Sequence, residues 1–221
     1  MASYIIIAII AYAIGSINFS VIISRKLAGF DVREKGSGNA GSTNVLRSVG
    51  VKAALITLMC DILKGVVAIL IAYLLGLIVK NIDKALLVQI AGIFVILGHT
   101  FPVFFEFKGG KGVATSLGVL LMTNCQIGLI CLVFALILII ATRMVSVGSI
   151  AAAVLFPVLT LFIRDYFIVE AVGLKYFIYS IIIAALVIFN HRENIKRIMN
   201  GTENKLSFKK EGKDEKNSNN R

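Results

Sequence analysis

The chain has 221 residues, 58% of them apolar, and its 23 Lys and Arg against 12 Asp and Glu leave a formal charge of +11. With a mean hydropathy of +0.90, an ordinary soluble domain is excluded, and the pattern predicts an all-α integral membrane protein, a polytopic bundle of about seven transmembrane helices. Cys60, Cys125 and Cys131 sit in apolar runs and make a disulfide framework improbable; His99 and His191 have no partners at metal-ligand spacing, so no metal or cofactor is expected.

The first apolar run, Tyr4–Ile23, has no basic segment before it and no small-residue cleavage site, so it reads as a retained span rather than a signal peptide. A polar island follows, from Lys35-Gly36-Ser37-Gly38-Asn39 through Thr43-Asn44 to Arg47. Ser37, Asn39, Thr43 and Asn44 offer neutral donors, and Arg47 can grip a phosphate in a two-pronged fork. A flexible loop would have similar composition, but linkers seldom carry amides and a terminal Arg beside a membrane.

The second run, Ala53–Val79, contains Asp61 and Lys64, whose i, i+3 spacing suits an internal ion pair. The third, Ala85–Leu97, leads into a second island, His99-Thr-Phe-Pro-Val-Phe-Phe-Glu-Phe-Lys108-Gly-Gly-Lys111-Gly-Val-Ala-Thr115. Gly109, Gly110 and Gly112 allow a ligand close to the main chain, successive N–H groups there are expected to form an anion concavity, and Lys108 and Lys111 add charge beside it.

Val113–Met122 is the weakest membrane segment; Ile127–Ala141, Val147–Ile163 and Tyr176–Phe189 complete the seven. Several fall short of the roughly 20 residues that cross a bilayer core, and so are half-spans packed in protein or borrow flanking residues. At the inner end of the sixth run, the cluster from Arg143 to Ser149, with Ser146 and Ser149, could present a helix N-terminus to an anion, although capping explains the serines about as well. A third island, His191-Arg-Glu-Asn194-Ile-Lys-Arg197-Ile-Met-Asn-Gly201-Thr-Glu203, follows the last run. His191, Asn194 and Arg197 share a helix face there, though a basic anchor helix would also use its cations. Residues 1–200 read as one membrane domain, and 201–221 as a disordered Lys- and Asn-rich cytoplasmic tail without chemistry.

Charge orients the chain. With seven crossings, the N-terminus outside and the C-terminus cytoplasmic, the inner side receives the basic residues of all three islands, Arg143 and the tail. The outer side receives only Lys80, Lys84, Arg164 and Lys175. The net positive charge is then accounted for by anionic membrane lipids and anionic substrates, without nucleic acid. In this layout every island emerges on the same face and can converge on one site.

Together the three strings resemble one family, the bacterial membrane acyl-phosphate:glycerol-3-phosphate acyltransferases, over essentially the whole chain apart from the tail. Ser42 stands where Ala is more usual. The resemblance implies a multi-pass protein of the bacterial cytoplasmic membrane with a cytoplasm-facing site. It implies transfer of a fatty acyl group from acyl phosphate to the sn-1 hydroxyl of glycerol-3-phosphate, giving lysophosphatidic acid and phosphate, with a single chain sufficing. Carried over residue by residue, Ser37, Arg47, Lys111, His191 and Asn194 become the glycerol-3-phosphate and catalytic set. Gly109, Gly110, Gly112 and Thr115 become the acyl-phosphate pocket, with Ser149 added, and His99 orders the glycine loop.

A CoA-dependent acyltransferase would need a His-x4-Asp pair, but Phe104 and Lys196 stand at the positions that would carry the Asp. A nucleotide P-loop would need Ser or Thr where Gly112 stands. A transporter of phosphate or an organic phosphate would use the same residue types, but should hold them near the bilayer midplane. A scaffold that gathers anionic lipid would not need the Ser, Asn and Gly pattern.

Overall fold

The computed structural model describes residues 1–164 and 173–206. Every described apolar run is helical, because a chain surrounded by lipid must satisfy its backbone polar groups internally. The first run is two helices, α1 (Ala2–Gly15) and α2 (Phe19–Ala28), broken where Asn18 caps α2 by accepting from the Val21 N–H at 3.3 Å. After a short α3 (Ser42–Ser48) come α4 (Val51–Ile78) and α5 (Lys84–Thr100). Then follow α6 (Val113–Thr123), α7 (Cys125–Thr142), α8 (Val145–Thr160), α9 (Gly173–Asn190) and the polar α10 (Arg192–Met199).

Among the described residues, five segments are long and apolar enough to cross a membrane: Ala2–Ala28, Val51–Ile78, Lys84–Phe105, Cys125–Thr142 and Gly173–Asn190. The expected segments at Val113–Met122 and Val147–Ile163 are the shorter apolar helices α6 and α8. At 1.5 Å per residue, α6 is about 16 Å long, roughly half a bilayer core. It turns at Asn124, which caps α7 by accepting from the Ile127 N–H at 2.9 Å, and α7 returns toward the end from which α6 started.

Large apolar side chains such as Ile5, Ile9, Ile137 and Ile140 face outward, whereas Asn18, Asp61, Lys64, Thr115 and Ser180 are buried. Small residues let the helices meet closely. A Cβ on Gly15 would lie 2.2 Å from the Val95 carbonyl oxygen of α5, and one on Gly118 would lie 2.1 Å from the Ile62 carbonyl oxygen of α4. Gly118→Ala is therefore expected to force α4 and α6 apart and cost about 3 kcal/mol. An unchanged thermal unfolding midpoint of the detergent-solubilised protein would refute that tight contact.

The Asp61–Lys64 ion pair forms at 2.9 Å and does more than neutralise itself. Lys64 Nζ also donates to the Gly15 and Ile17 carbonyls at 3.1 and 3.0 Å, supplying partners to the break between α1 and α2. Asp61 Oδ1 lies 3.5 Å from His99 Nδ1 on α5. One buried carboxylate thus joins the break, α4 and the entry to the glycine loop.

Candidate active site

The first island is held by a buried amide. Asn44 donates to the carbonyls of Val32, Lys35 and Asn39 at 2.9, 3.0 and 3.1 Å, and its Oδ1 accepts from the Ser37 N–H at 3.0 Å. Its hydrogen-bonding groups are spent on the loop, so the expectation that it offers a donor to a ligand is corrected. Ser37 is exposed, Asn39 and Thr43 are half-buried, and the Ala40 carbonyl packs 2.7 Å from where a Cβ on Gly110 would stand. Arg33 fastens the loop further, pairing with Asp31 at 2.9 Å and donating to the Phe105 carbonyl at 2.9 Å.

The second island folds back on the end of α5. The Gly109 and Gly110 N–H groups donate to the Thr100 and His99 carbonyls, each at 3.1 Å. Those two donors were expected in an anion concavity; they instead satisfy orphan carbonyls of α5. No side chain fits there, since a Cβ on Gly109 would lie 2.0 Å from the His99 carbonyl oxygen and one on Gly110 2.2 Å from His99 Nε2. His99 thus lies directly against the glycine loop.

The groups left to meet an anion are the first-turn N–H groups of α6. Gly112, at φ +84°, is the N-cap, and the Ser116 N–H is the one that reaches back to its carbonyl at 2.7 Å. The preceding N–H groups have no intrahelical acceptor and carry the positive end of the helix dipole. Lys111 stands beside them. Lys108 is exposed, 3.5 Å from Glu106, and apart from this group. Thr115 is fully buried, and the Ser149 hydroxyl donates to the Val145 carbonyl of its own helix at 2.9 Å.

The third island closes over the second. Lys111 Nζ donates to Asn194 Oδ1. The Asn194 amide is held in that orientation because its Nδ2 donates to Glu203 Oε1 at 2.7 Å. Glu203 also accepts from the Ser146 hydroxyl at 2.8 Å and from Arg197 Nε at 2.9 Å. Burial opposes charge on Glu203, but the bonds from Asn194, Ser146 and Arg197 outweigh it and hold the carboxyl below its ordinary range. Arg47 donates to the Asn204 carbonyl at 3.3 Å, so α3 joins the same cluster. Asn190 donates to Thr100 Oγ1 at 3.2 Å and to the Lys111 carbonyl at 3.5 Å, stitching α9 to the glycine loop.

His191 is buried at the junction of α9 and α10, and its Nδ1–H donates to the Val187 carbonyl at 2.7 Å. Neutral His191 therefore carries its proton on Nδ1 and a free lone pair on Nε2. Burial, reinforced by the charge of Lys111, pulls its pKa down to about 4. Burial likewise lowers Lys111 to about 8, with Arg197 adding repulsion and Glu203 resisting it.

Glu203 and Asn190 were not singled out in the sequence. Glu203 lies in a Lys-rich stretch that reads as solvated tail, so the expectation of a featureless tail from Gly201 is corrected for 201–206. Residues 207–221 of that tail lie outside the described residues. Asn190 had one signal, its position beside His191. Glu203→Gln keeps the shape and removes the charge. It is expected to cost about 1–2 kcal/mol, the Arg197 share being reduced by solvent screening, and about tenfold in turnover. Wild-type melting and kinetics in this variant would exclude Glu203 as the holder of Asn194.

The fold and site thus define a multi-pass helical membrane protein in which basic and amide side chains from three distant segments meet in one polar centre. A family profile described as glycerol-3-phosphate acyltransferase matches residues 5–201. The glycerol-3-phosphate acyltransferase of Clostridioides difficile (strain 630) is 44% identical over 209 residues, covering 95% of this chain and 98% of that one. That of Thermoanaerobacter sp. (strain X514) is 46% identical over 205 residues, covering 92% and 96%. The crystal structure of PlsY (YgiH), an integral membrane glycerol 3-phosphate acyltransferase, in its glycerol 3-phosphate form, superposes with a TM-score of 0.80 at 38% identity, covering 93% of this chain and 96% of that one. A second structure of that protein is its lysophosphatidic acid form, with a TM-score of 0.77. The chain belongs to the glycerol-3-phosphate acyltransferase family.

Proposed function

We propose that this protein moves a fatty acyl group from acyl phosphate to the sn-1 hydroxyl of glycerol-3-phosphate, releasing lysophosphatidic acid and phosphate. The observation that carries this reading is the seat formed by Lys111 and the first turn of α6, closed by Asn194, Glu203 and Arg197 beside neutral His191. Both substrates bear phosphate, and the seat with Arg47 supplies the charge two anions require.

Acyl phosphate is already activated, so the protein's task is positioning and charge stabilisation. The hydroxyl oxygen attacks the carbonyl carbon, the new ester C–O bond forms, and the bond to the phosphate oxygen breaks. His191 Nε2 takes the hydroxyl proton and passes it to the departing phosphate. A pKa near 4 makes that second transfer downhill, because the departing phosphate is a stronger base than this imidazole. Ser37 and Arg47 hold glycerol-3-phosphate, with Asn39 and Thr43 near them. Gly112 opens the acyl-phosphate seat, Gly109, Gly110 and His99 brace it, and Thr115 and Ser149 lie behind it.

The site faces the cytoplasm of a bacterium in this reading, with seven membrane segments, the N-terminus outside and one chain sufficient. The concentration of basic residues at the site-bearing end supports that orientation. Purified protein should convert palmitoyl phosphate and glycerol-3-phosphate into equal amounts of phosphate and lysophosphatidate without CoA. Folded protein that makes neither, while responding to palmitoyl-CoA or in a phosphate transport assay, would refute the reading.

A further inference from the structure

A groove of about 550 Å³, its open mouth included, lies between α5 and α9 at the end of the bundle remote from the active site. Both helices finish at the site, where Asn190 donates to Thr100 Oγ1. Both begin at the other end, where Lys175 Nζ meets Asp83 Oδ2 at 2.8 Å. Tyr179 forms the inner wall, and its hydroxyl fills the notch at Gly92, where a Cβ would lie 2.1 Å from the oxygen.

One polar group in this wall has no role in the fold or the reaction. Gln89 is only 7% exposed, it lines the groove, and its amide has no hydrogen-bond partner among the described residues. Such an amide is costly in a helix that crosses lipid, because hydrocarbon supplies no acceptor.

The wall is also graded along its length. Lys175 stands exposed at the mouth, and Asp83 takes one of the three ammonium donors, leaving two. Gln89 lies about 9 Å further along α5 than Asp83. Around and beyond it the wall is aliphatic, made by Ile90, Ile93, Ile178 and Ile182.

We propose that this groove binds one glycerophospholipid of the surrounding membrane. The phosphate sits at Lys175, an ester carbonyl accepts from the Gln89 amide, and an acyl chain lies along the four isoleucines. A glycerophospholipid carries phosphate, ester carbonyl and methylene chain in that order, which is the order of the wall. A free fatty acid has a single polar end and cannot meet Lys175 and Gln89 together. The site does not depend on the acyl-transfer reading, since Lys111 and His191 lie at the opposite ends of these helices.

The first test uses the full-length protein stripped of lipid in detergent micelles. Gln89→Leu exchanges an unpartnered amide for an apolar side chain of similar size, so its unfolding midpoint should lie about 2–4 °C above that of the wild type. Dioleoyl phosphatidylglycerol should then raise the wild-type midpoint more than that of Gln89→Leu and close the gap. A midpoint that Gln89→Leu lowers or leaves alone would show that the amide already has a partner, and would overturn the proposal. So would a gap that lipid does not close.

The sequence contains no tryptophan, so a single introduced one reports on its own surroundings. Brominated phosphatidylglycerol should quench Ile178→Trp, on the rim, at an about tenfold lower lipid-to-detergent ratio than Ile137→Trp, exposed on α7. Lys175→Gln or Gln89→Leu in the Ile178→Trp background should remove that advantage. Brominated diacylglycerol and a brominated fatty acid should quench the two reporters alike. Equal quenching of both reporters by the phospholipid would overturn the site, and a fatty acid as effective as the phospholipid would overturn its assignment. All these variants should keep acyl transfer within about twofold of wild type, because none of the altered residues touches the active site.

Discussion

Lys111→Ala is expected to lower kcat/KM by about a thousandfold, the largest effect of any single substitution considered. The loss is threefold in origin. The ammonium leaves the N-terminus of α6, where in the proposed function its charge and the first-turn N–H groups act on the same anion. Asn194 loses the donor at its Oδ1, and the Arg197–Glu203 pair loses the group it is arranged around. Lys111→Arg should recover no more than about a tenth of the activity, because a broad, planar guanidinium cannot replace a compact ammonium against the amide oxygen.

The same residue fixes the alkaline side of the pH profile. With its pKa lowered to about 8 by burial, Lys111 is charged below that value and loses its proton as pH rises through it. Therefore kcat/KM, which reports the free protein, should decline above about pH 8. The limb in kcat should lie at higher pH, because bound phosphate stabilises the ammonium. A wild-type profile flat through pH 10 would remove Lys111 from phosphate binding, as would Lys111→Ala retaining the wild-type limb.

The second large effect belongs to His191. His191→Ala is expected to lower kcat by about a hundredfold or more, with KM for glycerol-3-phosphate changing much less. His191→Gln separates transfer of the proton from simple hydrogen bonding. Its amide oxygen can accept a hydrogen bond from the hydroxyl but cannot carry the proton away, so it should be as impaired as the alanine variant. Because burial holds His191 near pKa 4, the imidazole is neutral throughout the working range. The acid limb should then follow the substrate phosphate near pH 6 rather than the protein. Near-normal kcat in both variants would mean that the proton reaches the phosphate without His191.

The helical segments were legible because lipid leaves the backbone no alternative to helices, and seven apolar runs, one of them carrying Asp61 and Lys64, state where those helices are. The three polar islands were legible as interruptions of those runs. What stayed hidden was which donor meets which acceptor. Asn44 looks like Asn39 in the sequence, but it is buried and bonded on both sides of its amide, whereas Asn39 is half-buried. Gly109 and Gly110 look like donors to an anion, and their N–H groups are turned back to α5. Hydrophobic pattern carries no information on such pairings, because they are decided by how each loop folds back on segments five to twelve residues away.

Glu203 makes the division plainest. Among lysines and asparagines its carboxylate has every local reason to stay in water. Only the return of 201–206 under α8 and α10 puts Ser146, Asn194 and Arg197 around it and makes burial tolerable. By itself, then, the sequence determined a helical membrane protein with its polar candidate residues in three strings, since composition and periodicity act locally. The tertiary structure alone decided that α6 is a half-length helix aimed at Lys111 and that Glu203 holds Asn194. Those follow from packing and hydrogen-bond satisfaction between distant segments, which no single stretch of the chain encodes.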